Sequence, residues 1–248
     1  CIIVICCRNN KDKRNPLIFV VLLFFALFFF DTTLVEYEGH TYRVTAFEQP
    51  EELIEQSGLH ILSVALYNVY YAVDERIILD SYKRENKQIF NMYEVSNRDR
   101  YISRYNTIKQ YIGFNQVTDF QTMGHNVNHF FTNIHSKVSE FLNRENLQGN
   151  SAGLALGLSQ LYVQGEFENK VPITVTGTLE KDGAVLGIGM VEEKIKISEQ
   201  SGYHYMMVPK QNEEEAHNVK VRDNLSIEII AVSHINEAIL KIQEINDS

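Results

Sequence analysis

A serine framed by glycines opens the most informative stretch of the chain. Gly149-Asn150-Ser151-Ala152-Gly153 leads directly into the apolar run Leu154-Ala155-Leu156-Gly157-Leu158. Flanking glycines permit a tight turn that presents a hydroxyl at a helix start, where unpaired backbone N–H groups point outward and can hold an oxyanion. The same pattern also fits a capped, buried helix. A serine hydroxyl needs a base to act as a nucleophile, and a lysine serves as one only when desolvation lowers its pKa. Lys194 sits among Val191, Ile195 and Ile197 on a stretch that reads as a helix. A snorkelling surface lysine is the other reading of that residue.

The elements that must position these two groups are legible around them. Val171 to Thr178 alternates like a strand. Leu179 to Ile188, centred on Lys181-Asp182-Gly183, reads as a hairpin. Gly187-Ile188-Gly189-Met190 then opens a helix from Val191 to Glu199, closed by Gly202. The helix after Ser151 is nearly all apolar and is expected to be buried. Strands around Val171–Thr178, Ala184–Ile188, Tyr203–Val208 and Ser226–Val232 are expected to form the sheet beside it.

Together these residues resemble the proteolytic domain of Lon-type serine peptidases. The resemblance rests on Gly149-Asn150-Ser151-Ala152-Gly153-Leu154-Ala155, Thr176-Gly177, Gly187-Ile188-Gly189 and Glu193-Lys194. It extends through Gly202 to Lys210 and through Val232-Ser233-His234-Ile235-Asn236-Glu237-Ala238-Ile239, covering about residues 147–245. It implies an α/β fold and a Ser151–Lys194 dyad, with Thr176 orienting the lysine and the turn of Gly149, Asn150 and Ala152 shaping an oxyanion site. It also implies hydrolysis of peptides or loose protein segments, without a cofactor or metal. Three positions depart from the family pattern. Asn150 stands where proline is usual, and Met190 replaces the second glycine of Ile-Gly-Gly. An acidic residue is usual five before the serine in relatives that carry a PDZ module, and here Asn146 stands there with Glu145 adjacent. Asn150 can adopt unusual backbone angles and so still shape an oxyanion turn, and Met190 either crowds the lysine helix or packs under it.

The chain has 248 residues and a net charge of −9, so nothing basic tracks a phosphate backbone and no nucleic-acid partner is expected. Its cysteines, Cys1, Cys6 and Cys7, all lie at the start, which excludes a disulfide framework or cysteine metal site in the body. Pro16 to Phe30 is an unbroken apolar run, with Arg8, Lys11, Lys13 and Arg14 before it and Asp31 and Glu36 after it. No small-x-small cleavage site follows, so an uncleaved anchor is favoured over a signal peptide, with the N-terminus inside and the body outside the cell membrane. The expected organisation is a cytoplasmic N-terminus (1–14), one transmembrane helix (15–30), a smaller α+β region (31–135) and a Lon-like domain (136–248).

Within the α+β region, Thr41 to Phe47 and His60 to Tyr67 read as strands. Pro50-Glu51-Glu52 reads as a turn or short helix start, and Asn68 to Leu79 as mixed. Charges with Tyr, Ile and Phe at helical spacing predict one or two amphipathic helices over Ser81 to Ile112. Tyr82, Tyr93, Tyr101, Tyr105 and Tyr111 are then expected to cover a core face. Gly58-Leu59-His60-Ile61-Leu62-Ser63-Val64 is similar to a segment of membrane-anchored peptidases of Gram-positive bacteria that join a PDZ module to a Lon-type domain. Between Gly113 and Gly149 there is no room for a PDZ module, and little for the strands that usually precede the family's serine. His125, His129 and His135 read as solvated or capping residues, and Glu213-Glu214-Glu215 as a helix start.

An ATP-independent, membrane-anchored serine endopeptidase is the favoured reading. No Gly-x-x-x-x-Gly-Lys-Ser/Thr loop occurs in this chain. The alternative is an inactive Lon-like domain that binds envelope peptides or a partner protein. Substrates would enter as extended strands, and self-association is left open.

Overall fold

The computed structural model of the chain describes residues 11–32, 40–72, 74–85, 87–111, 117–144 and 147–248. Cys1, Cys6, Cys7, Arg8, Glu36, Gly113, Glu145, Asn146 and the side chain of Tyr111 lie outside the described residues.

Apolar residues on both faces of its strands dictate the main sheet. It has five strands in the order β10-β9-β6-β3-β2: Glu228–Val232, Tyr205–Pro209, Ile173–Val175, Leu59–Ile61 and Glu51–Glu52. The first four run parallel, and β2 pairs antiparallel at the edge. A parallel sheet needs both faces covered, and here two apolar clusters do so. On one face lie α4 (Asp119–Phe130), α5 (Ser136–Leu142), α6 (Gly153–Val163) and α9 (Ile235–Asn246), with Met123, Leu154, Leu156, Leu158 and Ile242 packed on Leu59, Ile173, Val175 and Met207. On the other lie α7 (Val191–Gln200) and α8 (Glu213–Arg222), whose Val191, Ile195, Ala216 and Val219 pack on Met206 and Val208. Met206 and Val208 face one layer and Met207 the other, as the period of two requires.

The hairpin is β7 (Thr178–Leu179) with β8 (Val185–Leu186), pairing Thr178 with Leu186 and Leu179 with Val185. It forms its own two-stranded sheet, so the Ala184–Ile188 strand does not join the main sheet as expected. Gly183 (φ +91°) makes the reversal, and a Cβ there would lie 2.7 Å from the His234 ring. The sheet position left open is filled from far upstream: β3 pairs Leu59 with Ile173, His60 with Thr174 and Ile61 with Val175. The main sheet therefore crosses the boundary drawn between 135 and 136. Residues 51–61 also supply strands that the short interval before Gly149 cannot hold.

The upstream strands are tied in by polar contacts. Arg144 grips Glu51 through two 2.6 Å hydrogen bonds. Gly58 (φ +64°) donates to Glu52 at 2.8 Å, and Tyr203 bonds His60 Nδ1 at 2.9 Å.

A second sheet, β4-β1-β5, is antiparallel: Ala65–Ala72, His40–Ala46 and Ile89–Glu94. Helix α2 (Glu75–Arg84) and a small cluster of Val44, Ala46, Ala65 and Ile78 close one side of it. Several expectations fail here. Glu51–Glu52 is a strand rather than a turn or helix start, because it pairs with His60 and Ile61. The strand expected from His60 to Tyr67 splits into β3 and β4, which serve different sheets. The charged stretch after Ser81 contains β5 before α3 (Asn97–Tyr111) begins. Of the tyrosines expected to cover a core face, Tyr82 packs against the small cluster, whereas Tyr93, Tyr101 and Tyr105 lie beyond its reach and are exposed, with Tyr101 stacked on Phe30 instead.

Helix α1 (Lys11–Thr32) carries the apolar run, with Phe19, Leu22, Phe24, Phe25 and Phe28 exposed. Among the described residues, no helix is long and apolar enough to cross a membrane. A spanning anchor over 15–30 thus gains no support from the fold. The apolar run is shorter than the ~20 residues a span usually needs.

Candidate active site

Ser151 lies in a turn that two neighbouring segments fix. Gly149 holds φ +80°, a left-handed angle that glycine adopts without cost. The left-handed position of the turn is therefore Gly149 and not Asn150. The Ser151 carbonyl accepts from Gly177 N–H at 2.7 Å and from the Thr176 hydroxyl at 3.2 Å. Leu154 N–H in turn donates to the Gly177 carbonyl at 2.9 Å. The start of α6 is thus stitched to the end of β6. Close approach requires small residues: a Cβ on Gly153 would lie 2.8 Å from Leu179 N, and one on Gly177 2.9 Å from Val185. Among the described residues, neither Ser151 nor Ala152 commits its N–H to a backbone hydrogen bond.

Strand parity brings the lysine in. Along β6, Ile173 and Val175 face the α6 layer, so Thr174 and Thr176 face α7. On α7, Val191, Lys194, Ile195, Ile197 and Ser198 are buried. Lys194 Nζ lies 2.8 Å from Ser151 Oγ and 3.2 Å from Thr176 Oγ1. Lys194 is only 4% exposed, and burial pushes its amine down to about 8, against the opposing charge of Glu193. Among the described residues Nζ has no carboxylate partner. The structure therefore brings Ser151, Thr176 and Lys194 together, and the snorkelling reading of Lys194 falls.

Chemically, this is a hydroxyl beside a buried amine that can be neutral near physiological pH. Met190 caps α7 at φ +58° and is 40% exposed. Its departure from glycine falls on the backbone, where a left-handed angle is strained for a side-chain-bearing residue.

Sequence reasoning missed four supporting residues. Thr174 and Ser198 meet in a buried 2.6 Å hydroxyl contact one rung from Thr176 and Lys194. Asn212 accepts from Ile188 N–H at 2.9 Å and donates to the Ile188 carbonyl at 3.1 Å, while Gln211 accepts from Gly187 N–H at 2.7 Å. These last two hold the loop that enters α7. Strand alternation alone would have flagged Thr174; nothing local marks Gln211 or Asn212. His125 and His129 lie on α4, and His135 caps α5 by accepting from Lys137 N–H at 3.3 Å. Among the described residues, no cluster of His, Cys, Asp or Glu is placed to hold a metal ion.

Comparison with known proteins fits this geometry. The chain is similar to a Lon protease of Amoebophilus asiaticus, 30% identical over 93 residues, covering 37% of this chain and 11% of that protein. An archaeal Lon protease of Methanocaldococcus jannaschii is 31% identical over 93 residues, covering 38% and 14%. One from Halobacterium salinarum is 30% identical over 95 residues, covering 38% and 13%. The matched part is thus a small fraction of each of these relatives' length. The match to the C-terminal proteolytic domain of Lon proteases (S16) runs over residues 117–244, so it takes in α4 upstream of the expected start at 136. That region makes up more than half of the chain, which belongs to the Lon protease (S16) C-terminal proteolytic domain family.

Proposed function

We propose that the chain is a serine endopeptidase that cleaves peptides or loose protein segments through a Ser151–Lys194 dyad. The observation that carries this is the 2.8 Å contact between Ser151 Oγ and a buried Lys194 amine lowered to about 8. In the neutral amine, the nitrogen lone pair accepts the Ser151 proton while one N–H donates to Thr176 Oγ1. Ser151 Oγ attacks the peptide carbonyl. The developing oxyanion is met by N–H groups of the turn, at Ser151 and Ala152. Protonated Lys194 returns its proton to the leaving amine. Water then hydrolyses the acyl-enzyme with the lysine again as base. Thr176 relays between Lys194 and the Ser151 carbonyl, so it orients the base relative to the nucleophile's own backbone. No step in this scheme consumes ATP.

The membrane attachment expected from the apolar run belongs to the same proposal, with the body of the chain outside. The exposed phenylalanines of α1 support attachment to a lipid phase. Protease treatment of intact cells would digest residues after 31 under this topology; protection until lysis would overturn it.

The decisive assay is hydrolysis of an unstructured peptide by the whole chain. Ser151→Ala and Lys194→Ala should each abolish it, with no further loss in the double variant, because a dyad acts as a unit. Thr176→Val should lower the rate by about 10- to 100-fold, an orienting hydrogen bond lost with the base still present. Equal cleavage by wild type and Ser151→Ala would sink the reading and leave a binding module.

A further inference from the structure

Two pairs of side chains join β6 to α7, and only one of them belongs to the proposed dyad. Thr176 Oγ1 meets Lys194 Nζ at 3.2 Å, and two residues back along the strand Thr174 Oγ1 meets Ser198 Oγ at 2.6 Å. Both Thr174 and Ser198 are fully buried. The spacings match: two residues of strand advance ~6.6 Å and four residues of helix ~6 Å, so Thr174 and Thr176 on one side face Ser198 and Lys194 on the other. The strand and helix run in opposite senses, as the crossover from β6 through α7 to the parallel strand β9 demands. Thr174 Oγ1 also lies 3.2 Å from the Tyr205 carbonyl on β9, which can accept only from the threonine. The Thr174 hydrogen is therefore given to Tyr205, and Ser198 donates to Thr174.

We infer that Thr174 and Ser198 are positioning residues that set the register of α7 on β6 and thereby hold the Lys194 amine at Ser151. The inference rests on the dyad reading. A long lysine side chain on an otherwise apolar helix face can be held in place only if the helix cannot slide or roll, and apolar contacts are nearly indifferent to small slides. A directional, buried hydroxyl contact four residues away is not. Its loss would free the amine to drift and admit water, at little cost in packing volume. Thr174 has its own second acceptor in Tyr205, so Ser198→Ala leaves no hydroxyl stranded. That makes it the clean variant.

The test uses the full chain, with Ser198→Ala, Thr174→Ser and wild type compared in two ways. Steady-state cleavage of an unstructured peptide should show kcat down about tenfold in Ser198→Ala with KM unchanged, because sub-ångström misplacement of a reacting group costs rate and not binding. Thr174→Ser keeps the hydroxyl and should stay within about twofold of wild type. Independently of activity, NMR titration of labelled lysine should show the Lys194 amine of Ser198→Ala shifted up toward an ordinary lysine as water reaches it. Unchanged kcat and unchanged titration in a folded Ser198→Ala would overturn the inference, as would a kcat loss matching only the fraction unfolded. Should wild type show no Ser151-dependent cleavage while the Lys194 titration still moves in Ser198→Ala, the dyad reading falls and the register role stands.

Discussion

The two sheets of this molecule solve opposite problems. In the five-stranded sheet, strands are short and buried on both faces, and nearly every side chain is spoken for by a helix layer. In β4-β1-β5, strands are longer, but among the described residues the buried cluster beneath them is small, Val44, Ala46 and Ala65 with Ile78 of α2, and β4 leaves Leu66, Tyr67, Tyr70 and Tyr71 exposed. The difference lies in what each must hold. The proposed reacting pair needs its groups fixed to a fraction of an ångström, which only a packed, two-sided frame supplies. No such pair is proposed for the antiparallel sheet, and one closed face suffices for it. Position in the fold therefore decides what a given apolar side chain is worth.

The largest expected effect tests that contrast directly. Leu156→Ala removes a fully buried side chain of α6 and should cost about 4 kcal/mol in urea unfolding, whereas Leu66→Ala, 46% exposed on β4, should cost less than about 1. Comparable losses would mean that something covers the outer face of β4 and would erase the contrast.

Next in size is the effect of the buried amine. The folded pKa of Lys194, about 8, lies below its ordinary value of 10.5. The folded state therefore binds fewer protons between those values, and wild-type stability should rise with pH across that window. Below pH 8 the whole penalty is present. Lys194→Met should then stabilise the fold at pH 6 by up to about 3 kcal/mol, less whatever the lost hydrogen bonds contributed, and by nothing near pH 10.5. A gain independent of pH would point to packing and not to desolvation.

The smallest effect sharpens the contrast within the layer of the proposed dyad. Met190→Gly relieves a left-handed backbone angle at φ +58° and should raise the unfolding free energy in urea by at most about 1 kcal/mol, since glycine also loosens the unfolded chain. A loss instead would show that the exposed Met190 side chain makes contacts worth more than the strain.

Much of residues 149–246 was legible because its signals are local. Ser151 before an apolar helix, the Lys181-Asp182-Gly183 reversal and the helix from Val191 closed by Gly202 each lie within a single element and its flanks. What escaped was set by distance in sequence. Nothing about Leu59-His60-Ile61 says that its parallel neighbour is Ile173-Thr174-Val175. Glu51–Glu52 looks like a turn until its partner strand is known. Over 89–94, charged neighbours concealed a strand whose pairing with β1, not its own pattern, makes it one. At the site, the residue types of Ser151, Thr176 and Lys194 were readable, whereas the bond from Gly177 to the Ser151 carbonyl was not. The left-handed angle at Met190 escaped for a further reason: the residue present there does not advertise it.

The upstream origin of β3 has a consequence for where this protein could be cut. Residues 117–244 mark the homologous unit, but the unit that closes its own surface begins before Glu51. A fragment trimmed to the homologous boundary would lose β2 and β3 together and turn β6 from an interior strand into a bare edge. The backbone N–H and C=O groups of Ile173 and Val175 would then face water beside a strand that carries Thr176, and a bare edge invites a second copy to pair there. Such a fragment would keep every residue named in the proposed chemistry and still present a different surface to the next molecule it meets.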